Sequence, residues 1–313
     1  MMSTYDEDMR RAWGRVHSIP TEKLDTRLGT IEFAQQGEGI PLLVSHGVLG
    51  SHVETVDGWW AGLPGPGFRV IGPSRFGYFG STLPQGATPA DQADAYALLL
   101  DHLDVDRAVV LGFSAGSASV LEFALRHRER AIGLILACCR LGGGVTIGKA
   151  FEPLLRRAYG SDRLFWAFKK TMPTAYSRMM GIPKGYRASP QEAEAIVTTR
   201  ELLFPHEPRR DGAVFDGYVS NPVADRFPLE KLDVPTLVIN ARDDPLAPYR
   251  FAERAAARIP GAQLVTIDAG GHFFMGHDAE VREAIGAFVR RSISAVAASD
   301  DASRRGPGHA LDC

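Results

Sequence analysis

The chain has 313 residues, of which 45% are hydrophobic and 23% are charged, and its formal net charge is −2. This composition is typical of one large globular domain, with or without an insertion, and excludes a disordered or fibrous chain. The small negative charge disfavours nucleic acid as a partner, because no excess of basic side chains is available to neutralise phosphates.

The sequence also bears on location. No apolar run approaches about 18 residues, so we expect no membrane-spanning helix. The opening segment MMSTYDEDMRRAWGRV is charged throughout and lacks the apolar stretch of a secretory signal. The three cysteines, Cys138, Cys139 and Cys313, are not spaced like a disulfide framework. We therefore expect a cytoplasmic protein that has no membrane contact.

The predicted elements indicate an α/β fold. Residues 4–18 have the spacing of a short amphipathic helix, and residues 24–36 predict a hairpin around a Gly-Thr turn. Strands that are apolar on both faces then alternate with helices, which is typical of a parallel sheet covered on both sides. The predicted strands are 41–46, 68–73, 107–113, 131–139, 234–240 and 262–268, and the predicted helices are 89–103, 115–128, 249–259 and 278–296.

This alternation is interrupted over residues 141–226, where aromatic, Met-rich and Arg-rich helical stretches are separated by prolines. We interpret this segment as a mainly helical cap inserted after the sixth strand of a mostly parallel, doubly wound sheet. The core then consists of residues 1–140 and 227–296. Residues 297–313 are small and polar, and we expect them to form a disordered tail.

A candidate nucleophile lies between a predicted strand and a predicted helix. The segment Gly112-Phe113-Ser114-Ala115-Gly116 matches the pattern G-x-S-x-G. A serine on such a sharp turn has its hydroxyl exposed, and the flanking glycines leave room for neighbouring strands and helices. The alternative is a glycine-rich turn in which the serine only caps the helix.

With this motif in place, the chain resembles a capped α/β-hydrolase over residues 24–296. The segment that begins at His46 follows the strand PLLVSH and is similar to the loop that supplies an oxyanion-hole amide in that family. The resemblance assigns the amides of Val48 and Ala115 to this hole. It gives His46 itself a structural role.

The resemblance also implies an acid and a base. The family places its acid in the loop after the strand TLVIN, where Asp244 fits the spacing to a later proline and Asp243 is the competitor. The residue in the usual glycine position of this loop is Asn240. The base is His272 in the segment Gly-Gly-His, with His277 as the alternative. The order Ser, Asp, His along the chain is the order that this fold uses.

These residue types suit acyl transfer. His272 would take the proton of Ser114, and Asp244 would orient the imidazole, so the resulting acyl-enzyme would be cleaved by water without a metal or organic cofactor. A serine here argues against epoxide opening and halide displacement, for which relatives use an aspartate. The substrate would be a small ester, lactone or thioester.

Two alternatives remain open: a C–C bond hydrolase or haloperoxidase-like member of the same fold, and a non-catalytic ligand receptor. The sequence does not identify the substrate, and the oligomeric state is unknown. Aromatic and apolar residues near the motifs are candidate pocket walls, although most of those in the cap are expected to form its own core. The candidates are Leu49, Trp59, Trp60, Phe113, Trp166 and Phe273.

Overall fold

The computed structural model describes residues 3–57, 65–141, 148–224 and 226–305, with side chains described through residue 298. Its centre is an eight-stranded sheet with the order β1-β2-β4-β3-β5-β6-β7-β8. β1 and β2 are antiparallel, and β2 is antiparallel to β4. The remaining neighbours, in the order β4, β3, β5, β6, β7 and β8, are all parallel. The strands are β1 (Glu22–Thr26), β2 (Gly29–Gln36), β3 (Ile40–Ser45), β4 (Phe68–Pro73), β5 (Ala108–Phe113), β6 (Ala131–Ala137), β7 (Thr236–Ala241) and β8 (Gln263–Ile267).

The helices cover both faces of this sheet and form a separate layer above one of its edges. Every residue of β5 and β7 is buried, because each face of the sheet is packed against helices. The helices are α1 (Tyr5–Ser18), α2 (His52–Val56), α3 (Pro89–His102), α4 (Ser117–Arg126), α5 (Glu152–Tyr159), α6 (Asp162–Thr171), α7 (Pro173–Met179), α8 (Pro190–Leu202), α9 (Arg210–Phe215), α10 (Arg250–Arg258) and α11 (Asp278–Arg305).

Two hydrophobic clusters lie on opposite faces of the sheet. One contains apolar side chains of α3, α4 and α10, and the other contains those of α2 and α11. This arrangement confirms the doubly wound α/β sheet predicted from the alternating pattern. Helices α5 to α9 follow the sixth strand and precede the seventh, as expected for a cap. None of the helices in the described residues is both long and apolar enough to cross a bilayer.

Two of the differences from the sequence predictions concern the hairpin and the C-terminal helix. Gly29, with a φ of 95°, begins β2, so the hairpin turn lies just before the Gly-Thr pair. Helix α11 continues to Arg305, so the expected disordered tail does not begin at residue 297.

Helix α1 packs against the cap. Its residues Met9 and Ala12 share a hydrophobic cluster with Phe165, Tyr176 and other cap residues. Val16 of the same helix lies in the hydrophobic cluster of the sheet that contains α2 and α11, so α1 contacts both the core and the cap. No local pattern reveals the contact with the cap, because the partners lie more than a hundred residues apart.

A buried carboxylate on α1 fixes this contact. Trp166 Nε1 donates a hydrogen bond of 2.8 Å to Asp8 Oδ2, and Lys170 Nζ lies 2.9 Å from the same oxygen. Burial alone raises the pKa of Asp8, but the hydrogen bonds from Lys170 and Trp166 outweigh it and lower the pKa to about 2. The carboxylate therefore stays ionised wherever the protein is folded near neutral pH.

Two buried arginines join the cap to the core. Arg75 follows β4, and its guanidinium forms two hydrogen bonds, of 2.7 and 2.5 Å, with the carboxylate of Asp216 in the cap. Tyr78 also donates to Asp216. Arg209 of the cap is fully buried and lies 2.8 Å from Glu54 of α2. The cap is therefore joined to the core by two charge pairs whose arginine side chains are buried.

We expect Asp216→Ala to destabilise the fold strongly. Removing one member of a buried pair leaves the other charge uncompensated, which costs about 3–5 kcal/mol. The matched control is Asp233→Ala, because Asp233 and its partner Arg128 are 74% and 67% exposed, and a surface pair contributes about 0–1 kcal/mol. Thermal unfolding of both variants checks this. Similar small shifts in Tm for the two would contradict it.

Candidate active site

Ser114 lies on a strained turn between β5 and α4. Its φ of 52° is in the left-handed region, which is uncommon for a residue with a side chain. A Cβ on Gly112 would lie 2.5 Å from Val120 Cγ2 and 2.6 Å from Ser117 Cα, and a Cβ on Gly116 would lie 2.1 Å from the carbonyl oxygen of Ser45. Both flanking glycines are therefore required by packing, and the turn presents Ser114 at the carboxyl end of the sheet.

The loop after β3 lies directly beside this turn. A Cβ on Gly47 would meet Phe113 Cδ1 at 3.0 Å and Ser114 Cβ at 3.2 Å. Val48 and Leu49 follow, and Leu49 also has a left-handed backbone, with a φ of 61°. The loop thus approaches Ser114 closely enough for its backbone to face the same space as the hydroxyl.

His46 holds this loop in place, as the sequence predicts. Its Nδ1 lies 2.8 Å from the carbonyl oxygen of Gly47, and its Nε2 accepts a hydrogen bond of 3.0 Å from the amide of Arg75. These partners assign the proton to Nδ1. Burial, and then the charge of Arg75, lower the pKa of His46 well below its usual value. A neutral imidazole fixed at both nitrogens is a structural element of the loop.

Asp244 and His272 meet on the other side of the turn. His272 Nδ1 lies 2.8 Å from Asp244 Oδ2, and both side chains are almost completely buried. The second carboxylate oxygen accepts hydrogen bonds from the amides of Leu246 and Ala247, at 2.8 and 2.9 Å. The carboxylate is thus fully engaged, and Nε2 is the imidazole nitrogen left to exchange a proton.

Asp243 and His277, the alternatives for the acid and the base, have other partners. The carboxylate of Asp243 accepts hydrogen bonds from the amides of Gly270 and Gly271, at 3.3 and 2.9 Å. It therefore shapes the backbone that carries His272 rather than contacting the imidazole. His277 lies just before α11, where its Nδ1 is 3.0 Å from Glu280. Of these residues, only Asp244 is hydrogen-bonded to the His272 ring.

Asn240 explains why the acid loop departs from the usual glycine. Its side-chain amide donates to the carbonyl oxygens of Ala241 and Ala247, at 3.0 and 2.9 Å. The buried amide therefore ties the two ends of the loop that carries Asp244. A glycine could not make these bonds.

Cys138 is a neighbour that the sequence analysis did not single out. Its thiol donates a hydrogen bond of 3.2 Å to the carbonyl oxygen of His272, and its backbone φ is 50°. Ligand atoms of Cys138, Asp244 and His272 lie within 4.8 Å of one another. Burial, and then the charge of Asp244, raise the pKa of this thiol well above its usual value. Because the thiol keeps its proton and the carboxylate and imidazole bind each other, we interpret this group as a hydrogen-bonded cluster.

A cavity of about 280 Å³ joins these parts beneath the cap. Val48, Leu49, Phe113, Ser114, Ala115, His272 and Phe273 all line it, so most residues proposed from the sequence share one space. The remaining described lining residues come from α4, the loop after β6, the cap and the acid loop. They are Ser117, Ala118, Arg140, Leu141, Tyr159, Met179, Met180, Leu203, Ser220, Asn221, Ala224, Leu246 and Ala247.

Trp166 is not among the lining residues, and the expectation that it forms a pocket wall is corrected. Its indole is directed toward α1, where it donates to Asp8 and packs edge-on against Tyr5. Trp59 and Trp60 lie outside the described residues. Arg140 lines the cavity but was missed, although its place directly after a buried parallel strand was a usable signal.

Comparison with known proteins finds a matching family model and several similar hydrolases. A model of the alpha/beta hydrolase family matches residues 42–284. An uncharacterized hydrolase of Bacillus subtilis, YcgS, is 26% identical over 263 residues, which are 80% of this chain and 91% of that protein. A poly(3-hydroxyalkanoate) depolymerase of Ectopseudomonas oleovorans is 30% identical over 244 residues, which are 75% of this chain and 78% of that protein.

A solved structure of a thermophilic esterase from Thermogutta terrifontis is 26% identical to this chain, with a TM-score of 0.66. The match covers 87% of this chain and 99% of that one. The family model spans most of the chain, from β3 into α11, and includes every residue described around the cavity. The chain therefore belongs to the alpha/beta hydrolase family.

Proposed function

We propose that this hydrolase cleaves small carboxylic esters, lactones or thioesters through an acyl-enzyme on Ser114. The observation that carries the proposal is the hydrogen bond of 2.8 Å between Asp244 and His272, because His272 and Ser114 line the same cavity. This is the arrangement that activates a serine, which is a weak nucleophile at neutral pH. The similarity to an esterase supports the same reaction class.

The proposed reaction has two halves. In the first, Ser114 Oγ attacks the carbonyl carbon while its proton moves to His272 Nε2, and the protonated imidazole then gives that proton to the departing alcohol or thiol. In the second, water attacks the acyl-enzyme, again losing a proton to His272, and the acid leaves as Ser114 recovers its hydrogen. Asp244 keeps the imidazole in the required tautomer and stabilises its charged form.

The oxyanion formed in each half needs nearby donors. We assign this task to the backbone amides of Val48 and Ala115, because both residues line the cavity together with Ser114. Loss of one such donor costs about 10²–10³ in rate. The start of α4 directly after the turn adds the positive end of a helix dipole.

A cytoplasmic location is part of the same proposal. Cys138 and Cys139 are both buried and both free, as expected in a reducing compartment. The reaction as written uses only protein groups and water, so no metal or organic cofactor takes part in it.

The first test is labelling of the nucleophile. We expect a fluorophosphonate probe to label the wild-type protein and to leave Ser114→Ala unlabelled, with hydrolysis of 4-nitrophenyl acetate reduced to background. Ser117→Ala is the matched control, because Ser117 also lines the cavity but donates to the carbonyl oxygen of Gly112. A labelled, active Ser114→Ala protein would refute the nucleophile, and an unlabelled wild type would favour a non-catalytic receptor.

The second test separates the two adjacent aspartates. We expect Asp244→Asn to lower turnover by about 10⁴, because an amide stabilises the wrong imidazole tautomer. Asp243→Asn is expected to cost much less, since its carboxylate only holds the backbone amides of Gly270 and Gly271. Steady-state rates on one ester decide the matter. A larger loss in Asp243→Asn would reverse the assignment.

The third test concerns chain length. A cavity of about 280 Å³ is at the small end for ligand sites, and the cap residues Met179, Met180 and Leu203 close it above Ser114. We expect kcat/KM to be greatest for short acyl chains and to fall as the chain lengthens. We also expect no rise in rate when the substrate exceeds its solubility. Preference for long-chain emulsions would instead indicate a lipase.

A further inference from the structure

The loop that carries His272 is closed on itself. It runs from the end of β8 to the start of α11 and contains one short helical turn, Gly271–Phe273. The amide of Met275 donates a hydrogen bond of 2.9 Å to the carbonyl oxygen of Gly270, and a Cβ on Gly270 would lie 2.6 Å from the Met275 nitrogen. Because the two ends of the loop are joined this closely, a shift of Met275 also moves the backbone of His272.

A segment of the cap is attached to this loop at both ends. The segment consists of residues 181–192, between α7 and the first turn of α8, and we call it the base clasp. At its start, the carbonyl oxygen of Gly181 accepts a hydrogen bond of 3.1 Å from the amide of His272. At its end, Glu192 Oε1 is only 2.2 Å from the position that a Cβ on Gly276 would take. The base clasp is therefore packed against the backbone that carries the base.

Tyr186 joins the base clasp to the loop between these two contacts. Its hydroxyl lies 3.1 Å from the carbonyl oxygen of Met275 and 2.9 Å from Glu192 Oε1. A hydrogen bond from the backbone of Ser189 lowers the pKa of Glu192, so this carboxylate is an acceptor. Burial, and then the hydrogen bond to Glu192, raise the pKa of Tyr186. The hydroxyl therefore keeps its proton and shares it between the two oxygens.

Tyr186 itself does not face the substrate. It is not among the described residues that line the cavity. Its link to the reaction is the backbone that carries His272, whose other end is held by a hydrogen bond from the amide of Gly270 to Asp243. A misplacement of about 1 Å at a reacting group can cost about 10²-fold in rate. Loss of the Tyr186 hydroxyl is therefore expected to slow the chemistry without changing the contacts of the substrate.

We propose that Tyr186 is a positioning residue for the base, and that its hydroxyl holds the loop that keeps His272 against Asp244. This inference rests on the proposed function, because His272 exchanges the proton in both halves of that reaction. It gives the cap a second task. Besides covering the cavity, the cap aligns the base, so a protein whose base clasp is released binds substrate and turns it over slowly.

The variant that tests this role is Tyr186→Phe, which keeps the ring and removes the hydroxyl. We expect kcat for 4-nitrophenyl acetate to fall about tenfold, and KM to change less than about twofold, because no substrate contact is removed. The matched control is Tyr218→Phe, since Tyr218 is also a cap tyrosine whose hydroxyl donates to a backbone carbonyl oxygen, that of Gly148, at 3.3 Å. This control is expected to keep the kcat of the wild type.

A second measurement follows the loop without turnover. Hydrogen exchange of the backbone amides, read by mass spectrometry, is compared between the wild type and both variants. We expect the amides of residues 270–277 to exchange at least about fivefold faster in Tyr186→Phe, because the loop opens more often once the hydroxyl is lost. The rest of the sheet is expected to exchange at the wild-type rate, and Tyr218→Phe is expected to leave residues 270–277 unchanged.

A wild-type kcat in Tyr186→Phe would overturn the inference and leave the proposed hydrolysis at Ser114 intact. A lower kcat with unchanged exchange in residues 270–277, or with faster exchange throughout the sheet, would also overturn it, because the hydroxyl would then not act through the loop. If the wild type hydrolysed no ester, the proposed function would be what fails. The exchange measurement then decides whether Tyr186 holds the loop, since unchanged exchange in Tyr186→Phe refutes that and faster exchange confined to residues 270–277 supports it.

Discussion

The whole site depends on the close approach of the start of α4 to the end of β3. At Gly116 the backbone of the turn lies so close that an added Cβ would be 2.1 Å from the carbonyl oxygen of Ser45. In the same turn Ser114 has a left-handed backbone and lies against Gly47, at the beginning of the Val48 loop. Nucleophile and candidate oxyanion donors are thus positioned by backbone packing, which side-chain motion cannot relax.

The cap is connected to this packed region through buried polar groups. Arg75 binds Asp216 of the cap with its side chain and His46 with its backbone amide, so one residue joins the cap to the Val48 loop. Buried ion pairs add little net stability compared with apolar packing, because desolvation opposes the attraction. We infer that this pair instead selects one position of the cap, since any displacement would leave a charge unpaired in a dry environment.

Sequence patterns predicted the parallel strands and the residues that follow them, because apolar periodicity and glycine spacing report on local packing. The spacing to Pro248 favoured Asp244 over Asp243, and the hydrogen bond to His272 agrees with that choice. The patterns could not place α1 against the cap or turn Trp166 away from the cavity, since both depend on Asp8, 158 residues from Trp166. They also did not single out Cys138, because its thiol meets the carbonyl oxygen of His272 only in the folded chain.

The groups of the proposed reaction lie on loops that follow different parallel strands. Val48 follows β3, Ser114 follows β5, Asp244 follows β7 and His272 follows β8, so one edge of the sheet gathers the groups of the proposed reaction. The cap supplies further walls of the same cavity. The cap also contacts the base directly, because the backbone amide of His272 donates a hydrogen bond of 3.1 Å to the carbonyl oxygen of Gly181. A Cβ on Gly271 would lie 2.5 Å from that oxygen. The backbone that carries His272 is therefore packed tightly against the cap. A change in the cap near Gly181 would act on the chemistry as well as on specificity.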